Sequence, residues 1–287
     1  MENEQKSLVK PPPLPVRIQP PAMAPLEPED MVALRRAKQL LENPGLTARL
    51  AGTLGKPIER GIAALPPRAS GMIRKATRMA LTKALHAAVF SLGGNRPRRA
   101  SEGFHKVLVG ASGGVGGVFG LAALPVELPV STTLMLRSIA DIARSEGHNI
   151  RRMEVKLSCL EVFALGGGSK EDDATESSYW AVRAALSKAV TEATAFIAER
   201  GVIEHTAPAI LRLISSIASR FGVVVSEQIA AKAVPLVGAA GGSAVNILFM
   251  NHFQDMARGH FIVRRLEMLY GRDRVQSIYR ELAVRVP

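Results

Sequence analysis

The chain of 287 residues is 47% apolar but only 5% aromatic; the first figure excludes a disordered chain, and the second, with plentiful Ala, Gly, Leu and Val, favours close-packed helices over a β-sandwich. Its single cysteine, Cys159, excludes an internal disulfide and any Cys-based metal cluster, and suits a reduced cytoplasm. The net charge of +12 is uneven, since residues 56–106 alone hold 11 basic and two acidic side chains.

The start, MENEQKSLVKPPP, lacks the apolar core of a signal peptide, so export is not expected. Residues 11–28 contain eight prolines, which predicts a mobile polyproline-rich tail over residues 1–28. Within it Pro12-Pro13-Leu14-Pro15-Val16-Arg17 fits a PxxPxR pattern for a Pro-binding groove, though a plain spacer has the same composition. A first helix is expected from Glu29, with Leu34, Ala37, Leu40 and Leu41 at helical spacing, ending at Asn43-Pro44-Gly45.

Between Arg68 and Leu92 the spacing predicts a long helix, with Ile73, Ala76, Ala80, Ala84 and Ala87 along one side. Arg74, Lys75, Arg78 and Lys83 lie elsewhere around it, and the next loop adds Arg96, Arg98 and Arg99. Such a basic face suits plain solvent, an anionic membrane surface or a nucleic acid. The third is disfavoured because only Phe90 and Phe104 are near enough to stack on bases.

Val107 to Val126 carries no charge, and Gly113, Gly114, Gly116, Gly117 and Gly120 leave it nearly bare. Gly113/Gly117 and Gly116/Gly120 are four apart, the small-xxx-small spacing that lets a helix or an acyl chain touch the backbone. Twenty uncharged residues meet the minimum for a membrane span, but glycine is only weakly apolar, so a buried helix or a shallow insertion is expected. Pro125 and Pro129 predict a break, with the next helix starting at Pro129 and running to Gly147. Glu127, embedded in apolar sequence, needs a partner such as Arg137, or a raised pKa. Arg137 and Asp141, four apart, are expected to pair.

Further helices are expected from Asn149 to Leu165, Ala174 to Arg200 and Pro208 to Phe221, with Val223-Val224-Val225 as a short β-leaning run. Ala233 to Met250 echoes the first bare stretch. Gly238 and Gly242 are four apart, and Asn246 is a lone polar group expected to hydrogen-bond across helices. His252, Asp255 and His260 share a helical periodicity that a metal site could use, although packed histidines explain it as well. A last helix should span Asp273 to Val284. No GxGxxG after a strand, P-loop, HExxH or GxSxG elbow occurs.

The segments GGVGGVFGLAALPVELPVSTTLMLRSIADIARSEGHNI and AAKAVPLVGAAGGSAVNILFMNHFQDMAR together resemble the EcsC protein family, over Gly103 to Glu267. Gly147-His148-Asn149 stands where related sequences tend to have Gly-Tyr-Asp. The resemblance implies a bacterial-type, largely helical protein without an agreed activity, and it carries over no active-site residues. The expected architecture is all-α: a multi-helix single domain over residues 29–287, with two Gly/Ala-rich apolar helices packed together.

The favoured function is non-enzymatic and cytoplasmic, peripheral on the inner face of a membrane or lipid-binding. Arg74, Lys75, Arg78, Lys83, Arg96, Arg98 and Arg99 would meet anionic head groups. Gly113, Gly117, Gly120, Gly238 and Gly242 would pack helices, with Glu127, Arg137 and Asn246 as structural polar groups. The alternatives are a hydrolase using Glu127, His252 and Asp255, and a scaffold recruiting a protein through the tail. No cofactor or metal is expected.

Overall fold

Apolar residues at helical spacing, interrupted by proline and glycine, give eight helices and no strand among the residues that the computed structural model describes, which are 25–42, 67–92, 124–167, 178–201, 204, 206–232 and 238–282. These are α1 Pro28–Leu41, α2 Pro67–Ser91, α3 Leu124–Ser145, α4 Met153–Leu165, α5 Ser178–Arg200, α6 Pro208–Lys232, α7 Gly238–Tyr270 and α8 Arg272–Glu281. The Pro-rich tail, Arg96, Arg98, Arg99 and the glycines Gly113, Gly117 and Gly120 lie outside the described residues, as do the side-chain surroundings of Gly238 and Gly242. The expected packing of one small-residue face on the other therefore falls outside them too. Helix α3, which follows the first bare stretch, packs on α7, which holds part of the second.

The centre of the fold is α4. Every residue from Val155 to Ala164 is buried, so this helix has no solvent face and is enclosed by α2, α3, α5, α6 and α7. Phe163 of α4 stacks with Phe221 of α6 and Phe253 of α7 at ring separations of 4.9 and 5.3 Å, and Phe249 lies 5.1 Å from Phe253. Two of the polar groups on α4 are satisfied by backbone: Lys156 donates to the Val89 carbonyl at the end of α2 at 2.6 Å, and Ser158 donates to the Glu154 carbonyl at 2.9 Å. The Cys159 thiol is free, and burial pushes its pKa up to about 12, which leaves it unreactive.

Three expectations need correction. The helix expected to start at Pro129 begins instead at Leu124 and carries Pro129 inside it. A proline this close to the start removes a single hydrogen bond, which packing offsets. Helix α6 runs to Lys232 rather than stopping near Phe221, and the Val223–Val225 run lies within it, because burial of Val224 and Val225 overrides their β-preference. Finally, Asp141 pairs with Arg144. The expected end at Gly147 holds: its φ is +84°, and His148 N–H bonds the Ala143 carbonyl at 3.0 Å, closing α3 with a left-handed cap.

The first and last described helices are clamped together. Lys38 of α1 is buried and donates to the carbonyls of Tyr279 and Leu282 at 3.0 and 2.7 Å. Asp30 accepts from Tyr270 and Arg265 of α7 at 2.8 and 3.1 Å. Helix α1 also lies tightly against α7 at Gly259, where a Cβ would sit 2.6 Å from Leu41 Cγ and 3.0 Å from the Ala37 carbonyl oxygen. Gly259→Ala is therefore expected to push α1 outward and destabilise the fold by about 1–3 kcal/mol, read as a lower urea midpoint with an unchanged slope.

Candidate functional site

Helix α2 carries no acidic residue, so nothing on it neutralises its cations. Arg74, Lys75, Arg78 and Lys83 are all exposed, and among the described residues none of the four meets a carboxylate. Met72, Lys75, Lys83 and Phe90 are separated by near-whole numbers of turns and share the outer face, with Phe90 57% exposed. Arg74 and Arg78 sit on the flank toward α6, lining a groove of about 570 Å³ with Lys75, Ser215, Ala218 and Ser219. Arg78 donates to Ser215 Oγ at 3.2 Å.

On the opposite flank Lys83 and Arg137 border a shallow apolar groove of about 430 Å³ lined by Pro125, Val126, Pro129, Val130, Thr133 and Leu134. Val126 is 72% exposed there. Helix α6, on the other side of α2, is the one helix among the described residues long and apolar enough to cross a membrane, but 39% of its most apolar window is buried in the fold.

Glu127 finds its partner on another helix. It forms a close ion pair with Lys232 of α6 and accepts from Asn246 Nδ2 of α7 at 3.3 Å, and Asn246 Oδ1 accepts from Gln228 of α6 at 2.8 Å. This network ties α3, α6 and α7 together, and Asn246 makes the expected bond across helices. Arg137 is exposed instead of paired with Glu127.

Of the acid–base set Glu127, His252 and Asp255, the first two are engaged by separate partners. Glu127 is tied to Lys232, while buried His252 places Nε2 2.8 Å from the Gly166 carbonyl at the end of α4. A carbonyl only accepts, so that nitrogen carries the proton. His260 faces a different neighbour, Tyr179, at 3.1 Å. Among the described residues no three His, Cys, Asp or Glu side chains come together as metal ligands.

The structure assembles a charged cleft that the sequence did not reveal. Between α4, α5 and the C-terminal part of α7 lies a cavity of about 550 Å³, lined by Glu154 and Glu161 of α4, by Arg183, Ser187, Thr191 and Thr194 of α5, and by Arg264 and Glu267 of α7. Arg183 grips Glu267 through two parallel bonds of 2.7 and 2.9 Å, and Arg264 donates to Glu154 at 2.8 Å.

Glu161 forms the floor of the cleft. Its side chain is only 6% exposed; Oε2 has no hydrogen-bond partner among the described residues, with Arg264 Nη1 3.7 Å and His260 Nε2 3.9 Å away. Burial raises the Glu161 pKa against the pull of Arg264 and Arg183, and burial, with those same arginines, holds His260 well below the usual imidazole value. Both groups are thus held toward their neutral forms. The one sequence signal for this site was a carboxylate inside MEVKLSCLEVFAL, a segment apolar on every face.

A profile described as the EcsC protein family matches residues 33–266, from within α1 to within α7, which takes in the whole basic helix α2 and both Glu161 and Arg264 of the cleft. No curated protein and no solved structure matches the chain. With that span inside the profile, the chain belongs to the EcsC protein family.

Proposed function

We propose that the protein docks, from the cytoplasmic side, on an anionic membrane surface through the outer face of α2 and the neighbouring start of α3. The observation that carries this reading is the cluster of Arg74, Lys75, Arg78 and Lys83, exposed and without a carboxylate partner among the described residues, beside the exposed apolar side chains of Met72, Phe90, Val126 and Val130. A solvated helix face ordinarily intersperses both signs of charge. Here cations surround apolar groups, which suits a layer where phosphates meet acyl chains.

Each basic side chain near an anionic leaflet is worth about 1 kcal/mol, roughly a fivefold change in affinity. Co-sedimentation of the full chain with phosphatidylcholine vesicles, with and without phosphatidylglycerol, tests this. Binding should need the anionic lipid, fall as salt rises, and weaken about fivefold in each of Arg74→Gln, Lys75→Gln and Lys83→Gln. Equal binding to the neutral vesicles, or indifference to salt, would overturn the proposal.

A further inference from the structure

The floor of the cleft is an acceptor lacking a donor. Glu161 lines the cavity, and its Oε2 is buried with no hydrogen-bond partner among the described residues, a costly arrangement in a helix whose Lys156 and Ser158 are both satisfied. A polar chain fixes its surroundings. Arg183 Nη1 donates to the Tyr179 hydroxyl at 3.3 Å, and that hydroxyl lies 3.1 Å from His260 Nδ1. The other ring nitrogen of His260, Nε2, faces Glu161 across 3.9 Å.

The charges in the cleft select against ions. Its lining holds three guanidinium and three carboxyl groups, namely Arg183, Arg264 and Arg272 with Glu154, Glu161 and Glu267. An ammonium ion at Glu161 would sit beside Arg264, and an anion would find the fork of Arg183 already taken by Glu267. A hydroxyl meets neither obstacle, since it can donate to Glu161 and accept from a guanidinium. Ser187, Thr191 and Thr194 add further hydroxyls along one face of α5, with Val190, Ala195 and Ala198 supplying apolar surface between them. The volume of about 550 Å³ falls in the small-molecule range.

We infer that this cleft binds a small uncharged polyhydroxylated compound, of the polyol or sugar class, one hydroxyl of which donates to Glu161. Trp180, the only tryptophan, reports on the site from behind, because its ring lies 5.1 Å from the Arg183 guanidinium. The full chain is titrated with myo-inositol, glucose, ethanolamine and inorganic phosphate, following Trp180 emission and heat.

A saturable response to myo-inositol or glucose is expected, weakened about tenfold or more by Glu161→Met, which removes the acceptor, and several-fold by Thr191→Val. Several outcomes would overturn the inference: no saturable response to either polyol, tighter binding of ethanolamine or phosphate, or a Glu161→Met protein that binds the polyol as well as the parent. Should Glu161→Met fail to fold, Thr191→Val decides on its own, and an unchanged polyol affinity in it refutes the site.

Discussion

Replacing Glu267 with methionine destabilises the folded chain by about 3–5 kcal/mol, the range for stranding one member of a buried ion pair. Arg183 and Glu267 are 10% and 12% exposed, and their two parallel bonds close the rim of the cleft. Without the carboxylate the guanidinium is left against the rings of Tyr179 and Trp180, 5.4 and 5.1 Å away, which only partly compensate it. Arginine cannot shed its charge. The converse change, Arg183→Met, costs less, because a stranded carboxyl can take up a proton. The double replacement by methionine should recover most of the loss, since two apolar side chains then pack where two ions had to be desolvated. Urea unfolding of the four proteins gives the coupling directly. Additive losses in the double variant would mean that the two bonds contribute little.

Sequence periodicity reached the local structure and stopped at the long-range contacts. The ladder of Ile73, Ala76, Ala80, Ala84 and Ala87 made α2 readable because one side of that helix, including the first four of these, is buried and the other wet. Gly147 could be placed as a helix end because only a residue without Cβ adopts its positive φ cheaply. Helix α4 hid its importance: enclosed on all sides, it has no polar stripe, so nothing in the pattern singled out Glu161. Arg183 and Glu267 are 84 residues apart, and no pattern along the chain joins them. The same limit applied to Glu127, whose counter-ion is the distant Lys232 rather than Arg137 on its own helix. His252 and His260 share a periodicity, yet α7 touches α1, α3, α4, α5, α6 and α8, so nearby positions on it meet different neighbours: His252 the end of α4, His260 Tyr179 of α5.

Glu161 and His260 give the second large effect, with opposite dependence on pH. The Glu161 pKa is raised from 4.5 by burial, so above pH 4.5 the unfolded chain has released a proton that the folded chain still holds. Stability from this group therefore falls as pH rises from 4.5 through its folded value, by up to about 1.4 kcal/mol per pH unit. Glu161→Gln removes that fall, and its gain over the parent should grow with pH. The His260 pKa is depressed from 6.5, again by burial first, so below pH 6.5 the unfolded chain binds a proton that the folded chain excludes. The advantage of His260→Gln should accordingly grow as pH drops. Between 4.5 and 6.5 the two effects offset each other in the parent, whose stability curve should be flatter than that of either variant.

His148, also depressed by burial, and Glu146, also raised, remain in all three proteins and cancel from the comparison. A carboxylate–imidazolium pair would reverse these signs, because each single replacement would then strand a charge and both variants would lose stability together. Unfolding free energies measured from about pH 4 to 8 separate the two cases, and curves for the variants that run parallel to the parent would exclude the neutral arrangement on which the cleft depends.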